Sequence, residues 1–360
     1  MAWILSGWTK LFAACVLVLA ILFYYCVNAE EQVVPPQQAA EPAREGAPWI
    51  ETYVDHAEVE AIYGGEGDEI TPQAARDLLL ELTNESRADE GLSKLAWDED
   101  LEKLAAEHAN DMTTQRYINH HDLEGRKCEL RYNIMSGTDQ VSENIAYYEI
   151  HDAIYLTEKL VRRMHQHWLD SESHRLNIME QAHTHLGAEF SVVRGDGVSY
   201  VAGAVEFKND YGDYVRLPLN ARPGEILELT GQLDTSRARL AYIGIGSEDL
   251  PMPRTVEYQM THIGGYTVPI PAMHLLPVGD ALADTPEEWR YVRPIVQYDA
   301  TSGSFSGDLI IRSNWPAAAY YVTVWAVPPD ALTPDGRPDY SQAFCAMTQI
   351  VLVKPGVTFR

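Results

Sequence analysis

The sequence predicts an α+β chain. A region of helices closed by a hairpin spans residues 70–210, and an all-β, Ig-like sandwich region spans residues 214–360. Two observations carry this. Apolar residues recur at helical spacing through much of the first region. Beyond residue 214 that period gives way to short alternating runs parted by Pro and Gly. The composition, 46% hydrophobic and 22% charged, is that of a chain able to bury a core.

Each element has a local signature. Thr71-Pro72 reads as a helix start, a hydroxyl cap followed by a proline where no donor is lost. Ala75, Leu78, Leu79 and Leu82 follow on one face, and Gly91 marks the end. Asp98 is a second cap, with Glu99 and Asp100 in a first turn that favours acids. Leu101, Leu104, Ala105, His108, Ala109 and Met112 form the apolar stripe after it, so His108 reads as a packed core histidine. A third helix is expected over 155–169, where His165 and His167 flank an exposed face. Runs 188–193 and 199–207 read as a hairpin around Arg194-Gly195-Asp196-Gly197. In the second region, strands are expected over 225–232, 239–245, 266–270, 292–298, 304–312, 320–327 and 346–354.

The N-terminal part reads as an address. Leu11 to Val27 is an unbroken apolar run behind Lys10. Residues 1–29 therefore read as a signal peptide or as a transmembrane helix that anchors the chain in the membrane and leaves the rest outside. Residues 30–69 follow as a Pro-, Gln- and Glu-rich linker. The formal net charge of −26 excludes nucleic acid as a partner, since a binder of phosphate needs a basic face. Among the four cysteines there is no Cys-x-x-Cys, which excludes a thiolate zinc ribbon, and pairing of Cys128 with Cys345 stays open.

Eight of the twelve histidines lie between His120 and His185, which concentrates the candidate chemistry there. The segments NESRADEGLSKLAWDEDLEKLAAEHANDM, YINHHDLEG, SENIA, HWLDSESHRLNIM and HLGAEF, in this order, closely resemble the bacterial branch of the CAP family, whose unit is the SCP domain. That family covers cysteine-rich secretory, antigen 5 and pathogenesis-related proteins. The resemblance implies an α-β-α sandwich with a solvent-facing cleft lined by two histidines and acids, which binds zinc in some members. Carried across, the cleft residues are His120, Glu143 and His174, with Asn144, Arg175 and Asn177 as supports. Ser171 stands near where animal and plant members carry a further glutamate, so a four-residue site is not complete.

Two imidazoles and a carboxylate have the composition of an open Zn2+ site, or the carboxylate orients one imidazole from behind. No Gly-x-Ser-x-Gly elbow accompanies them. The sequence thus leaves two functions open. One is an extracellular, cell-surface protein whose cleft binds a divalent metal, a lipid, a peptide or a cell-envelope ligand. The other is a metal-dependent, protease-like hydrolase using His120, Glu143 and His174 as catalytic residues.

Overall fold

The structure is a computed structural model that describes residues 56–263, 269–277, 293–312, 314–334 and 336–354. These residues belong to one compact unit. The helices are α1 (His56–Tyr63), α2 (Pro72–Asp89), α3 (Glu99–Gln115), α4 (Cys128–Ile134), α5 (Glu158–Asp170), α6 (Glu172–Ile178) and α7 (Val256–Thr261). The first region also holds strands β1 (Ala96–Trp97), β2 (Gln140–Ile150), β3 (His185–Gly195) and β4 (Val198–Asn209).

Caps set the helix starts as the sequence implies. Thr71 Oγ1 accepts from Ala74 N with Pro72 at the first helical position, and Asp98 accepts from Asp100 N and Leu101 N. The helix expected over 155–169 begins later, because Thr157 is its cap. Its His165 is buried rather than exposed and lies 3.0 Å from Ser86 Oγ. The segment expected to belong to a linker contains α1, whose Val59 and Tyr63 are buried in the core. The chain therefore packs from well before residue 70.

Strands β1-β3-β4-β2 form a four-stranded sheet. Alternation along β2 and β4 feeds two cores. Ala146, Tyr148, Ile150, Val201 and Phe207 pack with α2 and α5 through Leu79, Leu160, Met164 and Trp168. Ile145, Tyr147, Ala202 and Ala204 pack with α3 through Ala105, Ala109 and Met112. Helices on both faces make this an α-β-α arrangement. Gly187 on β3 lets α3 approach, since a Cβ there would lie 2.2 Å from Glu102 N.

The β-rich region contains β5 (Gly212–Tyr214), β6 (Asn220–Ala221), β7 (Ile226–Leu233), β8 (Arg239–Glu248), β9 (Ile270–Pro277), β10 (Arg293–Tyr298), β11 (Ser304–Ile310), β12 (Ala318–Val327) and β13 (Phe344–Val353). They pair in the order β5-β7-β11-β10-β9-β8-β12-β13-β6. Leu229 and Phe305 from one end of this order share a core with Ile243, Val322, Val324 and Met347 from the other, so the sheet folds over on itself. The strand expected over 266–270 starts only at Ile270, and residues 264–268 lie outside the described residues. Cys128 and Cys345 are both free thiols.

One expectation requires correction. No helix among the described residues is long and apolar enough to cross a membrane. The longest, α2, has 18 residues and carries charges along its length, whereas a span needs about 20 apolar residues. The expected transmembrane helix, and the membrane as a partner held through it, have no counterpart there. The run Leu11–Val27 and the rest of segment 1–29 lie outside the described residues.

The two regions are joined by polar and apolar contacts. Asn133 Nδ2 donates to Thr348 O at 3.0 Å, and Ile350 N donates to Asn133 Oδ1 at 2.7 Å. Leu130 packs with Ala319, Tyr321 and Ile350. Asn133→Ala leaves two buried backbone groups of β13 without this partner. It is expected to cost about 2–4 kcal/mol, read as a lower midpoint in thermal unfolding of the full chain.

Candidate functional site

The site begins at β2, whose alternation sends Glu143 towards α3 and Ser142 and Asn144 towards α6. Glu143 is 2% exposed, so its charge survives only if partnered. Glu143 Oε1 lies 2.9 Å from His120 Nδ1, and Arg131 Nη2 donates to Oε2 at 2.5 Å. His108 Nε2 is 3.8 Å from Oε2 and 2.9 Å from the Asn119 carbonyl oxygen, to which it donates. Burial alone would raise the Glu143 pKa, but Arg131, His108 and His120 bring it well below the usual carboxylate range. Burial disfavours the charge on Arg131, yet Glu143 and Glu206 raise its pKa.

Glu206 faces Glu143 across the β2–β4 ladder, with Oε1 4.0 Å from Arg131 Nη2. Burial and the Glu143 charge push its pKa well up, so one carboxyl of the pair is ionised and the other protonated. His108 falls to about 4 through burial and the nearby guanidinium, so it stays neutral. The centre is thus one anion, one cation and neutral neighbours. Donation of the His120 Nδ1 proton to Glu143 makes Nε2 the nitrogen suited to accept a proton or a metal.

His174 sits on α6. Its pKa falls to about 4, first through burial and then through the proximity of His120 and His167. Its buried Nδ1 has no hydrogen-bond partner among the described residues. Two bonds hold α6 against β2: Asn144 Nδ2 donates to His174 O at 3.0 Å, and Asn177 Nδ2 donates to Asn144 Oδ1 at 3.0 Å. Asn177 Oδ1 accepts from Ser142 Oγ at 2.8 Å and lies 3.1 Å from His183 Nε2. Buried Arg87 donates to Ile178 O at 2.6 Å and to Glu180 O at 2.9 Å, which pins the end of α6.

The structure therefore brings His120 and Glu143 into direct contact. It places His174 within electrostatic reach of His120, and puts Asn144 and Asn177 behind His174. Arg175 is elsewhere: half-exposed, it pairs with Glu90 at 3.2 Å on the surface. His108, Arg131 and Glu206 were missed. The apolar stripe disguised His108, and only the register Glu143↔Glu206 reveals Glu206.

The loop bearing His120 is braced from the β-rich region. Gln259 of α7 is fully buried and donates from Nε2 to His121 O (2.7 Å) and Asp122 O (2.8 Å). Asn119 Nδ2 donates back to Gln259 O and His262 O. Gly125 has φ +77°, and a Cβ there would lie 2.4 Å from Met252 O. Among the described residues, no group of three or more His, Cys, Asp or Glu side chains is arranged to hold a metal ion.

Comparison with known proteins covers only part of the chain. Residues 80–204 match the Cysteine-rich secretory protein family, CAP. The chain is 30% identical over 152 residues to the uncharacterized membrane protein YlbC of Bacillus subtilis (38% of this chain, 40% of that protein). It is also 30% identical over 113 residues to the uncharacterized protein YkwD of the same organism (31% of this chain, 40% of that protein). The chain thus spans about two fifths of the length of these curated relatives. Among solved structures, it is similar to an extracellular protein containing a SCP domain from Bacillus anthracis (25% identity, 39% of this chain, 41% of that chain, TM-score 0.30). It is likewise similar to an outer surface protein of Borrelia burgdorferi (22% identity, 39% of this chain, 96% of that chain, TM-score 0.32).

Two predictions follow from the charge arrangement. Glu143→Gln keeps the shape but strands the buried Arg131 charge, and is expected to cost about 3–5 kcal/mol in chemical denaturation. Buried His108, His165 and His183, each held near about 4, must gain protons on unfolding. A depressed imidazole stabilises fully above the unfolded value of 6.5, and that contribution is lost as pH falls towards 4. The melting midpoint is therefore expected to fall steadily as pH drops through this window, with net proton uptake on unfolding.

Proposed function

We infer that residues 80–204 form a domain of the CAP family. On that premise we propose that this chain is an exported binding protein whose cleft takes its ligand through His120 and His174. The observation that carries this is the pairing of a spent imidazole edge with an unspent one. His120 Nδ1 is committed to Glu143, while buried His174 Nδ1 has no partner among the described residues. Glu143 itself serves two partners and acts from behind His120 rather than as a third ligand. Two imidazoles suit a divalent metal such as Zn2+, with the remaining positions completed by oxygens of the bound ligand. Such a metal would supply Lewis acidity to that ligand, a peptide, lipid or cell-envelope group.

Covalent catalysis by Ser142 is disfavoured by the state of its hydroxyl. Ser142 Oγ lies 3.3 Å from His183 Nε2, but it donates to Asn177 Oδ1 at 2.8 Å, and His183 is stacked on Phe207 at 5.0 Å. That hydroxyl is a brace for α6, not a poised nucleophile. Export is supported by the apolar run Leu11–Val27 and the polar segment after it. The folded-over sheet is read as an Ig-like sandwich that presents the cleft.

Zinc added to the full chain is expected to raise its melting midpoint by mass action, by about 2.7 kcal/mol of stabilisation at a hundredfold excess over Kd. His120→Ala with His174→Ala should abolish the shift. An unchanged shift in the double variant would remove the two-imidazole site.

A further inference from the structure

A partly open pocket lies away from the cleft, where α4 and the start of β2 meet the face of β8, β12 and β13. It has a volume of about 400 Å³, within the range of small-ligand pockets. One wall is a run of rings. Trp325 stacks on Tyr242 at 5.6 Å and 11°, and Tyr242 packs against His274 at 5.1 Å. The indole proton is donated to Thr323 Oγ1 at 2.9 Å, which fixes the ring. Gly244 keeps room for this seat, since a Cβ there would lie 2.7 Å from Thr323 Oγ1 and 3.3 Å from Trp325 Nε1.

The polar groups of the lining are largely spent on one another. Lys127 is tied to Glu248, which also accepts from the Tyr321 hydroxyl. Thr348 donates to Gln140, and Cys345 Sγ donates to Met347 O at 3.3 Å. Glu129 is the exception. Its carboxyl takes a weak 3.5 Å contact from Cys128 Sγ and a bond from its own backbone, and among the described residues it forms no ion pair. Burial raises its pKa and outweighs the opposing influences of its own backbone N–H and of the nearby Lys127 charge, which Glu248 already engages.

These features select one ligand chemistry. An anion meets Glu129 unfavourably. A bare metal ion lacks a ligand cluster there. A sugar would need several free donors and acceptors, and those of Thr323, Thr348 and Gln140 are engaged. What the cavity offers is one carboxylate beside an aromatic wall, which suits a positive charge carried on a small apolar body. We propose that this cavity binds a small organic ammonium ion, with Glu129 as its counter-charge and Trp325 and Tyr242 as its apolar wall.

The test is calorimetric titration of the full chain with choline, with n-butylammonium, and with 3,3-dimethylbutan-1-ol, the uncharged counterpart of choline. At least one cation is expected to bind, and the alcohol at least about tenfold more weakly. Glu129→Gln, which keeps the side-chain shape, should weaken the cation about tenfold or more. Trp325→Ala should also weaken it, while Trp325→Phe retains a ring and most of the affinity. His120→Ala should leave this binding unchanged, which separates the result from any outcome at the cleft. The proposal is overturned if neither cation binds up to about 10 mM, if the alcohol binds as tightly as choline, or if Glu129→Gln has no effect.

Discussion

The architecture around the cleft depends on one buried charge. Glu143 lies where water cannot solvate it, so the fold must supply its partners from distant parts of the chain. Arg131 comes from α4, His120 from the loop after α3, and His108 from α3 itself. Each is held there by contacts made for this purpose. The desolvation cost of a carboxylate in such a place is several kcal/mol, so these elements cannot drift apart without exposing an unpaired charge. Glu206 sharpens the constraint. Two carboxyls facing each other across a ladder cannot both ionise, and the one without the direct guanidinium contact holds the proton.

The same constraint explains why the β-rich region is not merely appended. It supplies β13, whose backbone is gripped by Asn133 of α4, the helix that also carries Arg131. It supplies Gln259, which clamps the backbone on either side of the His121–Asp122 bond next to His120. Arg131 and His120 are thus both steadied from the β-rich region. A pocket lined by Tyr242 of β8 and Trp325 of β12 remains at that junction.

Legibility followed the range of the interactions involved. The starts of α2 and α3 were readable because a cap is a bond between residues two or three apart. The turn between β3 and β4 was readable because Asp196 and Gly197 must adopt positive φ. Strand β2 and helices α4 and α6 were not. β2 is buried on both faces and lacks simple alternation, and α4 and α6 are seven residues each, too short to display a period. His165 was placed on the wrong side of its helix. The charged residues beside it suggested solvent, whereas Ser86 of α2 and the surrounding core receive the ring.

The sequence by itself determined the helix caps and the change from helical to strand spacing near residue 214, and through its ordered motifs it singled out His120, Glu143 and His174 as candidates. All of these rest on short-range pattern or on a run of ordered motifs. Tertiary structure alone decided that Glu143 is consumed by Arg131 and His120, that His108 and Glu206 share its environment, and that Arg175 turns outward to Glu90. It also decided that Glu129 lines one pocket together with Tyr242 and Trp325. Each of those outcomes joins residues from 12 to 196 positions apart. Burial and electrostatic pairing act through space, and no local pattern of side chains records which distant group will arrive.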